Sequence, residues 1–196
     1  MGKRKGVESA ARRPERAACR ISLPGRSGPS ACRAPSPSSS IDGRGPTTQS
    51  AVDIANLLYR YAERLDAGDL LGVAELFRHA RIKTKEGAPT IGADELLALF
   101  GASVKRYPCC TPRTKHVVTN PIIEIDEAAH RATARSYYTV LQAVDGLAPQ
   151  PVAAGRHHDA FERVDGMWRF TCRDYTLFDF AGDLRYHLNP NDPPVG

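Results

Sequence analysis

Apolar residues first fall into a regular rhythm at Ile54. Ile54, Leu57, Leu58, Tyr61 and Leu65 recur at i, i+3, i+4, i+7 and i+11, which is one stripe along an α-helix starting near Asp53. Gly68 stands where a glycine would close that helix. Asp69 is placed to cap a short second helix carrying Leu70, Leu71, Val73, Leu76 and Phe77. A short strand near Arg81–Lys85 follows, bounded by Gly87 and Pro89. A third helix is predicted from about Ala93 to Tyr107, on Leu96, Leu97, Leu99, Phe100 and Val104, with Pro108 as its stop. Beyond it the period changes to two. The stretches Lys115–Asp126, Arg131–Val144, Val152–Val164 and Trp168–Phe180 read as four strands. Turns fall at Glu127–His130, Gly146–Pro151 and Val164–Met167, and the last carries Asp165-Gly166, a strong hairpin signal. Helices followed by a run of antiparallel strands make an α+β layout. Strands this long bend around the helices, and a bent sheet with helices encloses a cavity.

The first fifty of the 196 residues show no such rhythm. They are rich in Arg, Pro, Ser and Gly and hold ten basic against three acidic residues, whereas residues 51–196 hold seventeen against nineteen. The net charge of +5 therefore belongs to the leading segment and not to the folded part. Residues 1–50 are expected to be a disordered basic tail, since such a composition buries too little apolar surface to offset ordering. An organelle transit peptide, a nucleic-acid arm or an over-long gene model, with a start near Val52, are the other readings of it. The folded domain is expected to span 51–188, with 189–196 as a short C-terminal tail. No nucleic-acid partner is expected for that near-neutral domain. No apolar run of about 18 residues crosses a membrane, and no apolar core follows Arg12-Arg13 as in a secretion signal. The five cysteines follow no spacing framework, so reduced thiols and a cytoplasmic location are expected. There is no C-x-x-C pair, nucleotide-binding glycine loop or G-x-S-x-G, so no metal and no cofactor is expected.

Several segments, in order, resemble the SnoaL-like / nuclear-transport-factor-2-like superfamily. They are Tyr61…Leu65-Asp66-Ala67-Gly68-Asp69, Lys115-His116-Val117-Val118-Thr119-Asn120 with Ile123-Glu124-Ile125-Asp126, and Ala134-Arg135-Ser136-Tyr137-Tyr138-Thr139-Val140. Gly155–Arg163 and Asp165–Phe170 complete the set, which covers roughly residues 51–188. The resemblance implies a cone-shaped, cystatin-like fold: about three helices packed on a strongly curved, mostly antiparallel sheet around a pocket for a small apolar molecule. The superfamily includes scytalone dehydratase, ketosteroid isomerase, polyketide cyclases and bile-acid dehydratase. It also includes non-catalytic assembly subunits, so fold alone leaves function open.

Alternation along the strand opening at Lys115 places His116, Val118, Asn120 and Ile122 on one face, and the apolar members point it inward. A histidine there has the setting of a general base in an apolar pocket, or of a core histidine bonded to backbone. The resemblance implies the first, because family dehydratases carry a catalytic histidine on the matching strand. Tyr61 lies on the helical stripe, and Asp66 sits in the last helical turn, where the helix dipole disfavours an anion. Their five-residue separation matches bile-acid dehydratase-like members. It also puts the side chains about 140° apart on an ideal helix, so Asp66 reaches a pocket only if the helix end curls. Ser136 and Tyr138 share a face with small residues that leave room for a ligand. Of His157, His158 and Asp159, alternation sends the first and third one way, and Asp159 pairs with Arg135, Arg156 or Arg173. The expected site is therefore His116, Asp66 and Tyr61 as catalytic groups, with Asn120, Tyr138, Ser136, Val118 and Ile122 around the substrate. The expected chemistry is that of a cofactor-independent lyase or isomerase on a ring-containing or polyketide-like molecule. A non-catalytic ligand-binding or assembly subunit is the alternative. A homodimer or homotrimer is expected, because few helices leave one sheet face needing cover.

Overall fold

The computed structural model describes residues 46–189. Three helices lead, α1 (Pro46–Asp66), α2 (Leu70–Leu76) and α3 (Ala93–Ser103), with the short strand β1 (Arg81–Lys83) between the last two. Then come β2 (Thr114–Asp126), β3 (Arg131–Val144), β4 (Leu147–Val164), β5 (Met167–Asp174), β6 (Phe178–Ala181) and a 3-10 turn at Leu184–Tyr186. The sheet order is β1-β5-β4-β3-β2, and β6 pairs with the early part of β4. β1 runs parallel to β5 and every other pairing is antiparallel, so the sheet is mixed and not closed into a barrel.

The stripe on α1 is the reason the helices dock. Ile54, Leu58, Tyr61 and Leu65 are buried against Val73 and Phe77 of the α2 region, Leu96 of α3, and Phe161 and Phe170 of the sheet. A second cluster gathers Val140, Val144, Leu147 and Val152 at the β3–β4 hairpin end. Asp69 caps α2 by accepting from the Gly72 amide at 2.8 Å. The Asp165-Gly166 turn has φ of 49° and 79°, the left-handed pair that a two-residue hairpin needs.

The four largest differences from the sequence reading each have a local reason. α1 begins at Pro46, so 46–50 belong to the domain and Ser50 is buried. Proline suits a first helical position, and Gln49 donates to Asp53 at 2.8 Å; that opening turn is polar and shows no stripe. The rest of the expected tail, 1–45, and residues 190–196 of the expected C-terminal tail lie outside the described residues. α3 stops at Ser103, not Tyr107, where the Ser103 hydroxyl turns back to donate to the Leu99 carbonyl at 2.7 Å and Val104 leaves in extended form. β4 begins at Leu147, because Gly146 at φ 83° makes the turn with Asp145 alone. The single strand expected over Trp168–Phe180 is two, because Asp174 accepts from both the Thr176 amide and hydroxyl at 2.8 and 2.6 Å. That bonding makes an Asx turn that breaks the ladder.

Candidate functional site

Asp66 is the last residue of α1, and the helix closes there in a Schellman pattern. The Asp69 amide donates to the Arg64 carbonyl at 2.9 Å and the Gly68 amide to the Leu65 carbonyl at 3.0 Å. Gly68 sits at φ 75°, and a Cβ on it would come 2.2 Å from the Cys110 carbonyl oxygen, so no other residue fits this bend. The bend frees the Asp66 carboxylate to face the start of β2. It accepts there from the Thr114 hydroxyl at 2.8 Å, the His116 amide at 2.9 Å and His116 Nδ1 at 2.7 Å. Burial alone would push this carboxyl up. The bonds and charge of His116, with Thr114, outweigh burial and hold it below the usual carboxylate range. An ionised carboxylate only accepts, so His116 Nδ1 carries the proton of this bond, and in the neutral form of the ring Nε2 keeps the lone pair.

His116 borders a cavity of about 160 Å³ between the helices, the concave side of the sheet and the C-terminal segment. Tyr61, Tyr138, His157, Tyr175 and His187 share its wall with aliphatic residues of α3, β3 and β4. The Tyr61 ring lies edge-on to those of His116 and His157, at centroid distances of 6.4 and 5.8 Å. Burial, then the neighbouring Tyr175, pushes the Tyr61 hydroxyl up, so it stays protonated and can donate. The Tyr138 ring stacks on His157 at 4.4 Å. Gly155 makes room for it: a Cβ at that position would sit 2.7 Å from the Tyr138 hydroxyl. Burial, followed by the charges of Arg173 and His116, holds His157 well below its usual value and keeps it neutral. Beneath the cavity Arg173 and Asp159, both buried, meet as a two-pronged ion pair at 2.7 and 2.8 Å. The Arg173 guanidinium lies 4.2 Å from the Tyr61 ring centre. A larger, more open depression of about 570 Å³ lies by Glu124, Arg131 and Glu162 and contains none of these groups. Among the described residues, no group of three or more His, Cys, Asp and Glu is placed to hold a metal ion.

The structure therefore brings together Tyr61, Asp66, His116 and Tyr138, and separates the other expected residues from them. Asn120 and Ile122 do not face the cavity. Asn120 takes φ 52° and the β2–β3 register slips between Thr119 and Ile122. Pro121 has no N–H for the ladder, and the bulge resets the alternation so that Ile123 and Ile125 point inward and Ile122 is 55% exposed. Val118 points inward but packs on the main core and does not line the cavity. Ser136 is buried opposite His157 in the ladder, its hydroxyl without a partner among the described residues, and it too stays off the cavity wall. Tyr175 and His187 also border the cavity. Tyr175 fell inside the strand expected over Trp168–Phe180 without being singled out, and it follows the turn at Asp174 that ends β5; His187 lies beyond the last periodic segment.

Comparison with known proteins yields a family and a fold. The SnoaL-like domain profile matches residues 46–174. Curated proteins give no significant sequence match. Among solved structures, a variant of the Mycobacterium tuberculosis protein Rv3472, of unknown function, superposes with a TM-score of 0.55 at 24% identity, over 69% of this chain and 76% of that one. A Novosphingobium aromaticivorans nuclear-transport-factor-2-like protein with a cystatin-like fold gives 0.51 at 20% identity, over 69% and 90%. Another protein of that organism, provisionally named a scytalone dehydratase, gives 0.54 at 19% identity, over 75% and 96%. At these identities the structural likeness is one of fold.

Proposed function

The chain belongs to the SnoaL-like domain family, and we propose that it is a cofactor-independent lyase or isomerase acting by general acid–base chemistry on a small neutral molecule. One observation carries the reading: a histidine whose Nδ1–H is fixed by a buried carboxylate borders an apolar cavity. In the mechanism, His116 Nε2 takes a proton from the carbon next to a carbonyl of the bound molecule. Asp66 balances the positive charge that the imidazole then acquires. Tyr61, kept protonated by burial, donates to the oxygen on which negative charge develops. Returning the proton to a leaving hydroxyl completes a dehydration, and returning it to another carbon completes an isomerisation. Each proton transfer of this kind contributes about 10²–10⁴-fold in rate.

The test needs no knowledge of the natural substrate. Proton abstraction shows as exchange of α-hydrogens for deuterium in D₂O, followed by NMR on a panel of small cyclic ketones. The wild type should accelerate exchange for at least one of them, and His116→Ala should abolish it with little change in melting temperature. If His116→Ala strongly destabilises the protein and no ketone exchanges with the wild type, the enzyme reading fails and a ligand-binding or assembly subunit remains.

A further inference from the structure

The last wall of the cavity comes from residues 183–189, which cross the end of α3 as a strap. Asp183 caps its single 3-10 turn by accepting from the Arg185 amide at 3.1 Å. The strap is held on both sides of His187. The Lys105 amide donates to the His187 carbonyl at 2.9 Å, and the Asn189 amide to the Ser103 carbonyl at 2.9 Å. The Tyr107 hydroxyl and Gln142 Nε2 both donate to the Tyr186 carbonyl, at 2.7 and 2.9 Å. This fixed backbone sets the His187 ring against the same cavity as His116. Two imidazoles there already have work within the protein: His116 is bonded to Asp66, and His157 is stacked on Tyr138. Among the described residues His187 has no such bond or stack, and its Nδ1 is buried without a hydrogen-bond partner. Burial, and then the charge of His116, pull His187 down to about 4 against a weaker opposing effect of Asp66. The ring is therefore neutral at pH 7 and offers one N–H donor and one lone pair.

We propose that the cavity takes a single six-membered ring bearing a hydroxyl or keto oxygen, and that His187 hydrogen-bonds that oxygen. Size points to one ring. The cavity measures about 160 Å³. An apolar cavity of about 150 Å³ accepts a benzene molecule, whereas pockets for drug-sized ligands run to roughly 300–1,000 Å³. A fused multi-ring body exceeds this volume and would have to reach out through the open side of the cavity or displace the strap. Charge points to a neutral ligand. Asp66 is anionic, the one buried guanidinium bordering this region is engaged by Asp159, and His157 and His187 are both neutral. An anionic ligand would meet the charge of Asp66, and among the described residues no Lys or Arg lines the cavity to offset it. The ligand class narrows the acid–base reading above and rests on it only for the identity of the cavity.

The experiment measures binding to the full-length chain with two probes of equal size, phenol and toluene, by calorimetry and imidazole ¹H–¹⁵N NMR. Phenol should bind the wild type more tightly than toluene and shift the His187 ring resonances. His187→Leu should weaken phenol about tenfold, the size of one lost hydrogen bond to a neutral group, and leave toluene unchanged. His187→Gln, which keeps a donor and an acceptor, should recover part of the loss and serves if the leucine variant does not fold. Deoxycholate, with four fused rings, should not bind. Absence of phenol binding, no His187 shift on its addition, equal phenol affinity in wild type and His187→Leu, or deoxycholate binding tighter than phenol would each overturn the proposal. Phenol binding through His187 without deuterium exchange on any ketone would leave this inference standing while removing the enzyme reading.

Discussion

Asp66 is the residue whose removal has the most calculable outcome. Its carboxylate accepts three hydrogen bonds, two at Oδ1 from the Thr114 hydroxyl and His116 Nδ1, and one at Oδ2 from the His116 amide. In Asp66→Ala the hydroxyl can rotate to another acceptor or water, but the amide and the ring N–H, fixed by the strand, are left facing a void. Two unsatisfied buried donors cost about 1–3 kcal/mol each, so a loss of about 3 kcal/mol is expected after partial relaxation. In Asp66→Asn the side-chain oxygen, placed at the Oδ1 position, keeps two of the bonds. Its NH₂ then meets the His116 amide donor to donor, so one bond is lost and the expected cost is about 1–2 kcal/mol. Urea unfolding at pH 7 resolves the two variants, and ¹⁵N shifts of the imidazole report the tautomer. The wild type should hold the proton on Nδ1 of His116. Asp66→Ala should give a mixture of tautomers, and Asp66→Asn should retain the Nδ1 form, with loss of any exchange activity in both. Wild-type stability in Asp66→Ala, together with an unchanged His116 tautomer, would show that the pair does not form and would refute the reasoning.

Stability should also fall as the pH drops from about 6.5 towards 4. His157 and His187 are held neutral in the fold, whereas in the unfolded chain they protonate near 6.5. The unfolded state therefore binds more protons across that window, and each histidine contributes up to about 1.4 kcal/mol per pH unit; a urea midpoint that stays flat between pH 7 and 4.5 would contradict this. A second copy of the chain is expected to cover the outer sheet face, where Val117, Ile122 and Tyr137 are exposed together on β2 and β3. Light scattering at micromolar concentration should give twice the chain mass and Tyr137→Glu a single one; a monomeric wild type would rule the assembly out.

Much of the architecture is written in local patterns. The Ile54–Leu65 stripe, the Asp69 cap and the Asp165-Gly166 turn each act over a few residues, and each does in the structure what its residue types allow. The contact between Asp66 and His116 was half legible. Helix geometry said that Asp66 must leave the ideal path to reach a pocket, and Gly68 supplies the left-handed bend that lets it. Asn120 shows the limit of strand alternation: one residue at positive φ before a proline reverses the faces of everything after it, and Ile122 turns to solvent. His187 shows another limit. Its place depends on pairing with α3, more than eighty residues earlier in the chain (Ser103 to Asn189), and no periodicity encodes a contact of that range.

The strap separates two properties that a binding site usually ties together. The acid–base pair stands on α1 and β2, and the apolar residues of those two elements hold the main core, so reshaping the elements themselves disturbs folding. The roof over it is the short segment 183–189, whose apolar residues Leu184 and Tyr186 pack on the smaller cluster and whose backbone is tied to the end of α3. On the proposed function, changes to that roof would alter which ligand fits and leave the Asp66–His116 pair in place. The same segment is the last part of the site to leave the ribosome. If the cavity takes the ring proposed above, a nascent chain whose helices and hairpins have folded completes the site only once synthesis has passed His187.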